Sequence, residues 1–304
     1  MMQNIQFKKK VALVTGANGF SGSHLLSTLL LNGWCVHAIV RDITKIPTWQ
    51  DFPGVFWHKY ENNINNLIDI IQCSHPDIVF HLASLFVSHH TAQDVMELIN
   101  SNILFGAQLL EAMRLCNVDK IINTGSSWQH YNNLENNAVN LYAATKQAFE
   151  DIIAFYVNAH NFKVITLKLF DTYGPFDQRQ KLLKLLLDAT ASGKEIAMSL
   201  GEQLIDIVYI TDVIQAYIIA AARIFELQEH AHEVYAVSSQ NLLSLRQIVN
   251  ICEDVTRIKI NIKWGARAYR YREVMLPWSC GLQLPNWSPK VKFEDGIKLM
   301  WGKL

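Results

Sequence analysis

Short apolar runs alternate with segments of helical periodicity along the first 170 residues. The runs are rich in Val, Ile and Phe, which predicts parallel strands that are covered on both faces. These predicted strands are 11–14, 34–40, 55–59, 77–83, 120–123 and 164–170. Apolar periodicity predicts helices at 63–73, at 91–115 as one long helix, and at 140–160. The alternation of strands and helices predicts an α/β fold with a doubly wound parallel sheet.

The pattern changes after residue 170. A turn at 173–175, a helix at 182–191 and shorter, aromatic-rich segments replace the regular alternation. Within 205–226 the pattern is that of another strand and helix, which can return to the main sheet. We therefore expect residues 1–170, together with 205–226, to form one domain. Residues 171–204 and 227–304 are expected to form a smaller, discontinuous second domain.

The first predicted strand leads into a turn with three evenly spaced glycines, Gly16, Gly19 and Gly22. The first permits a tight turn, the second lets the backbone approach a phosphate, and the third lets the next helix pack closely on the sheet. The free N–H groups of the helix that begins near Phe20 then face the anion. Such turns also close strand–helix units that bind nothing. The apolar helix that follows favours a dinucleotide site here.

A tyrosine and a lysine, Tyr142 and Lys146, are four residues apart at the start of the helix predicted at 140–160. This spacing puts both side chains on one helix face. A neighbouring ammonium favours the phenolate, so we expect the tyrosine pKa to fall toward the range useful for proton transfer. A hydroxyl near the end of the fifth predicted strand, that of Ser126 or of its neighbours Thr124 and Ser127, can hold a substrate oxygen. Taken alone, the Tyr–Lys pattern is commonplace on solvated helices. Here it follows the glycine turn and a strand that ends in hydroxyl residues, in that order along the chain, and this combination predicts an acid–base site.

The bulk composition narrows the possible partners. The chain has 304 residues, zero formal net charge and 50% hydrophobic residues, so we expect neither nucleic acid nor a membrane as a partner. Its five cysteines form no C-x-x-C pair, which favours reduced thiols in a cytoplasmic protein. We also expect no secretory signal and no membrane span. The histidine pairs at 89–90 and at 230 and 232 have no supporting carboxylate or cysteine cluster, so no metal site is predicted.

Six segments along the chain carry a family resemblance. In order they are VTGANGFSG, DIVFHLAS, NTGSS, YAATK, LFDTYGP and IDIVYITDV. They resemble the extended short-chain dehydrogenases/reductases, in the branch of nucleotide-sugar epimerases and dehydratases, over essentially the whole chain. The resemblance implies a Rossmann domain that binds a nicotinamide dinucleotide and a smaller domain that binds a sugar nucleotide. It also implies a catalytic triad of Ser126, Tyr142 and Lys146.

Departures from the family's patterns reduce the number of reactions that the resemblance allows. Related 4,6-dehydratases have an Asp-Glu pair after the catalytic hydroxyl, where this chain has Ser127 and Trp128. Relatives that epimerise at C3 and C5 have a cysteine in place of Trp128 and a histidine in place of Phe176. The resemblance then implies hydride and proton transfer at one carbon, by a 4-keto reductase or a UDP-hexose 4-epimerase. The segment LFDTYGPFDQR resembles the reductases that complete CDP-linked 3,6-dideoxyhexoses for surface polysaccharides, the abequose and paratose synthases.

The end of the second predicted strand bears on the cofactor. NAD-binding relatives have an acid there for the ribose 2′-hydroxyl, whereas this chain has Arg41, which can pair with a 2′-phosphate. NADP(H) is therefore favoured, although Asp42 lies near the usual acid spacing and leaves NAD(H) open. The cofactor-binding residues implied by the resemblance are Gly16, Asn18, Gly19, Phe20, Ser21, Gly22, Arg41, Glu61, Leu82, Ala83, Tyr142, Lys146 and Leu169.

A nucleoside diphosphate carries negative charge, so cationic side chains are expected to converge on it. The predicted substrate-binding residues are Ser84, Ser127, Trp128, Asp171, Arg179, Lys181, Arg270 and Arg272. Two other functions stay open: a reductase of small aldehydes or flavonoid-like ketones, and a non-catalytic dinucleotide sensor with a protein partner. The helices at 91–115 and 140–160 have more apolar surface than one sheet face needs. We therefore expect them to pair across a two-fold axis in a homodimer.

Overall fold

A seven-stranded parallel sheet forms the centre of the protein in the computed structural model, which describes residues 9–47 and 52–302. The strands are β1 (Val11–Thr15), β2 (Cys35–Val40), β3 (Val55–Lys59), β4 (Ile78–His81), β5 (Lys120–Ser126), β6 (Lys163–Leu169), β7 (Asp171–Tyr173), β8 (Ile196–Ala197), β9 (Leu204–Tyr209), β10 (His232–Val237), β11 (Leu242–Ser244) and β12 (Ile262–Lys263). The α-helices are α1 (Phe20–Leu31), α2 (Ile64–Ser74), α3 (Asp94–Ile99), α4 (Phe105–Leu115), α5 (Leu141–His160), α6 (Leu182–Ser192), α7 (Ile210–Arg223), α8 (Leu245–Thr256) and α9 (Phe293–Trp301). Across the described part of the chain, no helix combines the length and apolar character needed to cross a membrane.

The order of strands in the large sheet is β10-β6-β5-β4-β1-β2-β3, and all its pairings are parallel. Alternate residues of β1 enter different cores: Ala12 and Val14 pack on one face of the sheet, and Leu13 packs on the other. Both faces are therefore covered, which explains the continuous apolar runs of the strands. The predicted doubly wound Rossmann sheet is confirmed.

The order of the strands reverses direction between the neighbouring strands β1 and β4, and this reversal determines where a ligand can bind. The chain winds outward from β1 through β2 to β3, and then returns to place β4 on the other side of β1. At this reversal of direction the loops after β1 and β4 separate and leave a crevice at the carboxyl edge of the sheet. The glycine turn lies at this edge, directly after β1.

The second half of the chain joins the large sheet by a different strand from the one expected. The strand predicted within 205–226 is β9, and it pairs with β7 and β11 in a separate three-stranded sheet. Its helix, α7, does return, and it packs against α1, β5 and β6. The strand that joins the large sheet is β10, which lies within the predicted second domain and pairs with β6. Without β10 the backbone edge of β6 would be uncovered.

The helix predicted at 91–115 is interrupted by one π-helical turn. This turn, Asn100–Leu104, lies between α3 and α4. It contains Asn102, a buried side chain that donates hydrogen bonds to the Leu85 carbonyl at 3.0 Å and to Thr145 Oγ1 at 2.9 Å. The widened turn directs a polar group into the space between the loop after β4 and helix α5. Single π turns of this kind are frequent at functional sites.

Candidate active site

A cleft opens at the carboxyl edge of the sheet, where the direction of winding reverses. It encloses about 980 Å³ of empty space, including the part that is open to solvent. Its walls are the glycine turn, the ends of β4, β5 and β6, the first turns of α5, and the segment from β7 to the start of α6. Doubly wound sheets bind their ligands at this position.

The glycine turn forms one end of the cleft. Gly16 has a φ of +66°, and a Cβ atom there would lie 2.6 Å from the backbone nitrogen of Ala83. A Cβ at Gly22 would overlap the carbonyl oxygen of Gly16. Only glycine allows this close approach of turn, strand end and helix start. The resulting cradle presents the start of α1 to the cleft, so the residues present fit the pyrophosphate of a dinucleotide.

The end of β2 lies beside this turn. Asp42 accepts hydrogen bonds from Thr44 N at 3.0 Å and from Thr44 Oγ1 at 2.7 Å, and it lies 3.7 Å from Lys45 Nζ. The hydrogen bonds from Thr44 hold the pKa of the Asp42 carboxyl below its usual value. Asn18 donates to the Lys45 carbonyl at 3.3 Å, and Arg41 is exposed. The carboxylate is thus engaged by its own turn, whereas the arginine faces solvent.

The three residues of the predicted triad line the cleft together. The hydroxyls of Ser84 and Ser126 lie near the Tyr142 hydroxyl, where they favour its phenolate. Burial nevertheless raises the pKa of Tyr142 to about 12. We expected a lowered tyrosine pKa, and this expectation is wrong because the removal of water from the phenolate outweighs the stabilising groups. Burial also lowers the pKa of Lys146 to about 8, against the opposing charge of Glu150.

A buried polar network lies behind the triad. Ser126 N donates to Gln129 Oε1 at 2.8 Å, and Gln129 Nε2 donates to Glu150 Oε1 at 2.9 Å. Glu150 pairs with Lys168 at 3.2 Å, and Lys168 Nζ donates to His130 Nε2 at 2.7 Å. Sequence analysis missed these four supporting residues. The S-x-x-Q spacing from Ser126 to Gln129 is a capping-box pattern and was the one available signal.

Asn102 supports the site from the other side. Its Oδ1 accepts a hydrogen bond from Leu85 N at 2.7 Å and another from Ser84 Oγ at 3.1 Å. Together with its bond to Thr145 on α5, these contacts fix the loop after β4 against the helix that carries Tyr142. The predicted helix contains both Asn100 and Asn102, and no motif indicates that the second of them supports a site.

Aromatic side chains form the part of the cleft next to the tyrosine. The ring of Phe86 lies 4.9 Å from that of Tyr142 and 5.6 Å from that of Trp128, between centroids. Lys181 Nζ lies 5.1 Å from the Phe86 centroid and 3.2 Å from Asp171 Oδ1. Phe86 was not among the predicted residues, because one phenylalanine after a strand has no pattern that distinguishes it from a core residue.

The cleft gathers most of the predicted site residues. Those that line it are Gly16, Gly19, Phe20, Ser21, Gly22, Leu82, Ser84, Ser126, Ser127, Trp128, Tyr142, Lys146, Leu169, Asp171, Arg179 and Lys181. Ala83 lies against Gly16. Asn18 and Arg41 lie on the β2 side of the glycine turn, and Glu61 is exposed after β3.

Two of the four predicted cations, Arg179 and Lys181, line the cleft, and the other two do not. Arg179 is held by two 2.7 Å hydrogen bonds to Asp177, and its guanidinium lies 4.5 Å from the Phe20 ring centroid. Arg270 is exposed and does not line the cleft. Arg272 does not line it either, because its guanidinium donates to Asn137 at 2.6 Å. The cations that converge on the cleft are Arg179, Lys181 and Lys146.

Over residues 9–47 and 52–302, no three His, Cys, Asp or Glu side chains are grouped so that they could hold a metal ion.

The sequence matches the model of the NAD dependent epimerase/dehydratase family over residues 12–238. The chain belongs to this family. Among curated proteins, this family member is 25% identical over 311 residues to the CDP-abequose synthase of Salmonella typhimurium, covering 98% of this chain and 99% of the relative. It is 28% identical over 304 residues to the CDP-abequose synthase of Salmonella muenchen, covering 97% and 98% of the two chains. The resemblance to extended short-chain dehydrogenases/reductases is thereby confirmed.

Solved structures of the family share the fold. The UDP-glucuronic acid 4-epimerase of Bacillus cereus, in complex with UDP-glucuronic acid and NAD, superimposes with a TM-score of 0.83 at 23% identity, covering 96% of this chain and 98% of that one. The UDP-glucose 4-epimerase of Thermotoga maritima, with UDP-glucose, gives a TM-score of 0.82 at 21% identity, covering 96% and 98%. At this identity the likeness concerns the fold.

Proposed function

We propose that the protein reduces the 4-keto group of a nucleotide-diphosphate-linked deoxyhexulose, with NADPH as the reductant. The observation that carries this proposal is the meeting of the Tyr142 and Ser126 hydroxyls in one cleft with Lys146 and the glycine turn. The curated relatives named CDP-abequose synthase, which match over nearly their full length, support a nucleotide sugar as substrate.

The residues of the cleft can perform the reduction as follows. The glycine turn would hold the NADPH, which would supply the hydride for the keto carbon and leave as NADP⁺. Ser126 and Tyr142 donate hydrogen bonds to the keto oxygen, and Tyr142 transfers its proton to that oxygen as negative charge develops. The raised pKa of Tyr142 keeps the phenol protonated at neutral pH, so it is ready to act as an acid. The Lys146 ammonium offsets the charge of the phenolate that remains.

The two residues that follow Ser126 in the sequence also support reduction at one carbon. Ser127 and Trp128 line the cleft where related dehydratases have an acidic pair. Neither side chain can remove the proton of a carbon acid at neutral pH. Removal of water from two neighbouring ring carbons requires a base and an acid, and these two side chains supply neither.

NADP(H) is the proposed cofactor because of the groups at the end of β2. Asp42, the acid that would bind a ribose 2′-hydroxyl, is engaged with Thr44 and Lys45. Arg41 is exposed beside it, and a guanidinium can pair with a 2′-phosphate. Two structural neighbours in complex with NAD are 4-epimerases of UDP-glucose and UDP-glucuronic acid, and a tightly held NAD would suit that reaction.

The test is an assay of NADPH oxidation by the purified protein with a panel of CDP-, dTDP-, GDP- and UDP-linked 4-keto deoxyhexoses. We expect NADPH to be consumed in proportion to 4-hydroxy sugar formed, with at least one nucleotide clearly preferred. The same panel is run with Tyr142→Phe as the inactive control. Interconversion of UDP-glucose and UDP-galactose without added reductant, by a protein that copurifies with NAD, would instead establish a 4-epimerase.

A further inference from the structure

We infer that Arg179 binds the pyrophosphate of the dinucleotide cofactor, from the side opposite the glycine turn. Arg179 was expected among the substrate-binding residues, so it is now assigned to a different ligand. The contact would be the same in a reductase and in an epimerase, because both hold a nicotinamide dinucleotide. Residues 174–179 are called the "crossing segment" below.

The crossing segment lies against the first two turns of α1. His24 Nε2, on α1, donates to the Pro175 carbonyl at 3.3 Å, and the His24 ring stacks on that of Phe176 with centroids 6.5 Å apart. His24 also meets the Phe20 ring edge to face at 5.3 Å. Because α1 begins directly after the glycine turn, the crossing segment covers the same end of the cleft as the turn does.

The backbone of the crossing segment is strained at Phe176. Its φ is +67°, in the left-handed region that bulky side chains rarely adopt. Strain of this kind persists only where surrounding contacts impose it, and it clusters at active sites and ligand clamps. The packing of Phe176 on His24 is such a contact. The position of the segment over α1 is therefore maintained at an energetic cost, which points to a role in binding.

The crossing segment places Arg179 beside the start of α1. The Arg179 guanidinium lies 4.5 Å from the centroid of the Phe20 ring, and Phe20 is the first residue of α1. Both side chains line the cleft. An anion at the start of α1 would therefore meet a fixed positive charge as well as the free N–H groups of the helix.

Within the described part of the chain, the hydrogen bonds of Arg179 leave two N–H groups for such an anion. Nε and Nη2 donate to the two carboxylate oxygens of Asp177, each at 2.7 Å, and Nη2 also donates to the Thr172 carbonyl at 3.1 Å. These bonds use three of the five guanidinium hydrogens, so the two on Nη1 remain. Asp177 is buried and does not line the cleft, so its carboxylate orients the guanidinium from behind. Arginine–phosphate pairs are charge-assisted and therefore strong.

A second diphosphate, that of a sugar nucleotide, is the alternative ligand for Arg179. The charge of Arg179 acts to lower the pKa of Tyr142, against the larger effect of burial. Lys181 is the cation beside the triad, because its Nζ lies 5.1 Å from the centroid of Phe86, whose ring packs on that of Tyr142. We therefore assign the substrate side of the cleft to Lys181, and the experiment has to separate the two diphosphates.

Equilibrium binding without turnover separates them. Calorimetric titration of the wild type and of Arg179→Gln gives Kd for NADPH, for NADH, and for CDP, dTDP, GDP and UDP. We expect Arg179→Gln to raise Kd for NADPH and NADH by the same factor, since both contain the pyrophosphate. This factor should be about 10- to 100-fold, the usual effect of losing a hydrogen bond between charged groups. Arg179→Lys, which keeps the charge without the fork, should lose less.

The nucleoside diphosphates should bind Arg179→Gln as they bind the wild type, which also shows that the variant is folded. Arg257→Gln, an exposed arginine after α8 that does not line the cleft, is the matched control and should change none of these constants. Weaker binding of the nucleoside diphosphates alone, equal weakening of both classes, or no change in either would overturn the inference. If no nucleoside diphosphate binds the wild type, the proposed function fails, and the dinucleotide constants still decide the role of Arg179.

Discussion

At the scale of single residues, burial has opposite consequences for the two titratable members of the triad. It raises the pKa of Tyr142 to about 12 and lowers that of Lys146 to about 8. Both shifts favour the neutral form of the group, because the charged form is poorly solvated in the cleft. Tyr142 is thus a stable proton donor at neutral pH, and Lys146 is the group whose charge changes within the working range.

Replacement of Tyr142 by phenylalanine tests the proton donor. We expect kcat to fall by about 10²- to 10⁴-fold, the usual contribution of a general acid, because the keto oxygen loses its proton source. The dissociation constant for NADPH should change little, since the ring remains. Tyr156→Phe on the same helix is the control, because its hydroxyl bonds to Glu111, outside the cleft. Wild-type turnover in Tyr142→Phe would remove the mechanism.

The pH dependence of the reduction should follow Lys146. Its ammonium is present below a pH of about 8 and is lost as the pH rises through that value. Tyr142 stays protonated over the same range, and burial keeps His81 neutral with a pKa of about 3. We therefore expect kcat/KM to decline as the pH rises through about 8, measured from pH 6 to 10. Lys146→Met should have lower activity and lack this decline; an unchanged profile would contradict the assignment.

The choice between the two nicotinamide cofactors is predicted to rest on Arg41. Loss of a hydrogen bond between charged groups costs roughly 1.5–3 kcal/mol. Arg41→Ala should therefore raise the dissociation constant for NADPH by about 10- to 100-fold and leave that for NADH nearly unchanged. Arg257→Ala, an exposed arginine after α8, is the matched control. Tighter binding of NADH than NADPH by the wild type would show that the cofactor prediction is wrong.

At the scale of elements, an ion pair ties α5 to β6 behind the triad. Glu150 and Lys168 are 3.2 Å apart, and their side chains are only 8% and 5% exposed. Gln129 connects this pair to the backbone of Ser126 at the end of β5. The two elements that carry the predicted triad, β5 and α5, are therefore joined to each other and to β6 by buried polar groups.

Breaking this pair on one side should be costly. Glu150→Leu leaves Lys168 buried without its carboxylate, and we expect a loss of about 3–5 kcal/mol in the free energy of unfolding by urea. The double variant Glu150→Leu with Lys168→Leu should lose less, since no unpaired charge remains. Asp295→Asn, in the exposed pair with Lys298, is the control and should change stability by less than about 1 kcal/mol. Additive losses in the double variant would contradict the coupling.

At the scale of the whole molecule, α3 and α5 leave apolar side chains in solvent on adjoining helices. Met96 on α3 is 73% exposed and Phe155 on α5 is 58% exposed, and the two helices contact each other. Such a surface is typical of a contact between copies of a chain. It is consistent with the homodimer expected from the sequence, which stays a prediction.

Solution mass tests the dimer. We expect a particle of about twice the 34.7 kDa chain mass at micromolar concentration, by light scattering after gel filtration. Met96→Asp with Phe155→Asp should shift the mass to that of one chain, because two carboxylates would be buried in the contact. Phe56→Asp, on the exposed side of β3, should have no effect on mass. A wild-type monomer at this concentration would rule out the proposal.

The sequence by itself determined the features that are local or periodic. The apolar runs located the first six strands of the large sheet, the glycine spacing located the turn after β1, and the Tyr142–Lys146 spacing located the start of α5. Each of these is a property of residues close together in the chain, where steric limits on the backbone and helical periodicity apply directly.

Only the tertiary structure decided the features that depend on contacts between distant residues. It placed β10 rather than β9 beside β6, directed Arg272 to Asn137 instead of the cleft, and brought Phe86 against Tyr142. It also reversed the expected direction of the tyrosine pKa. The physical reason is the same in each case: packing and loss of water depend on which segments meet in space, and local sequence does not contain that information.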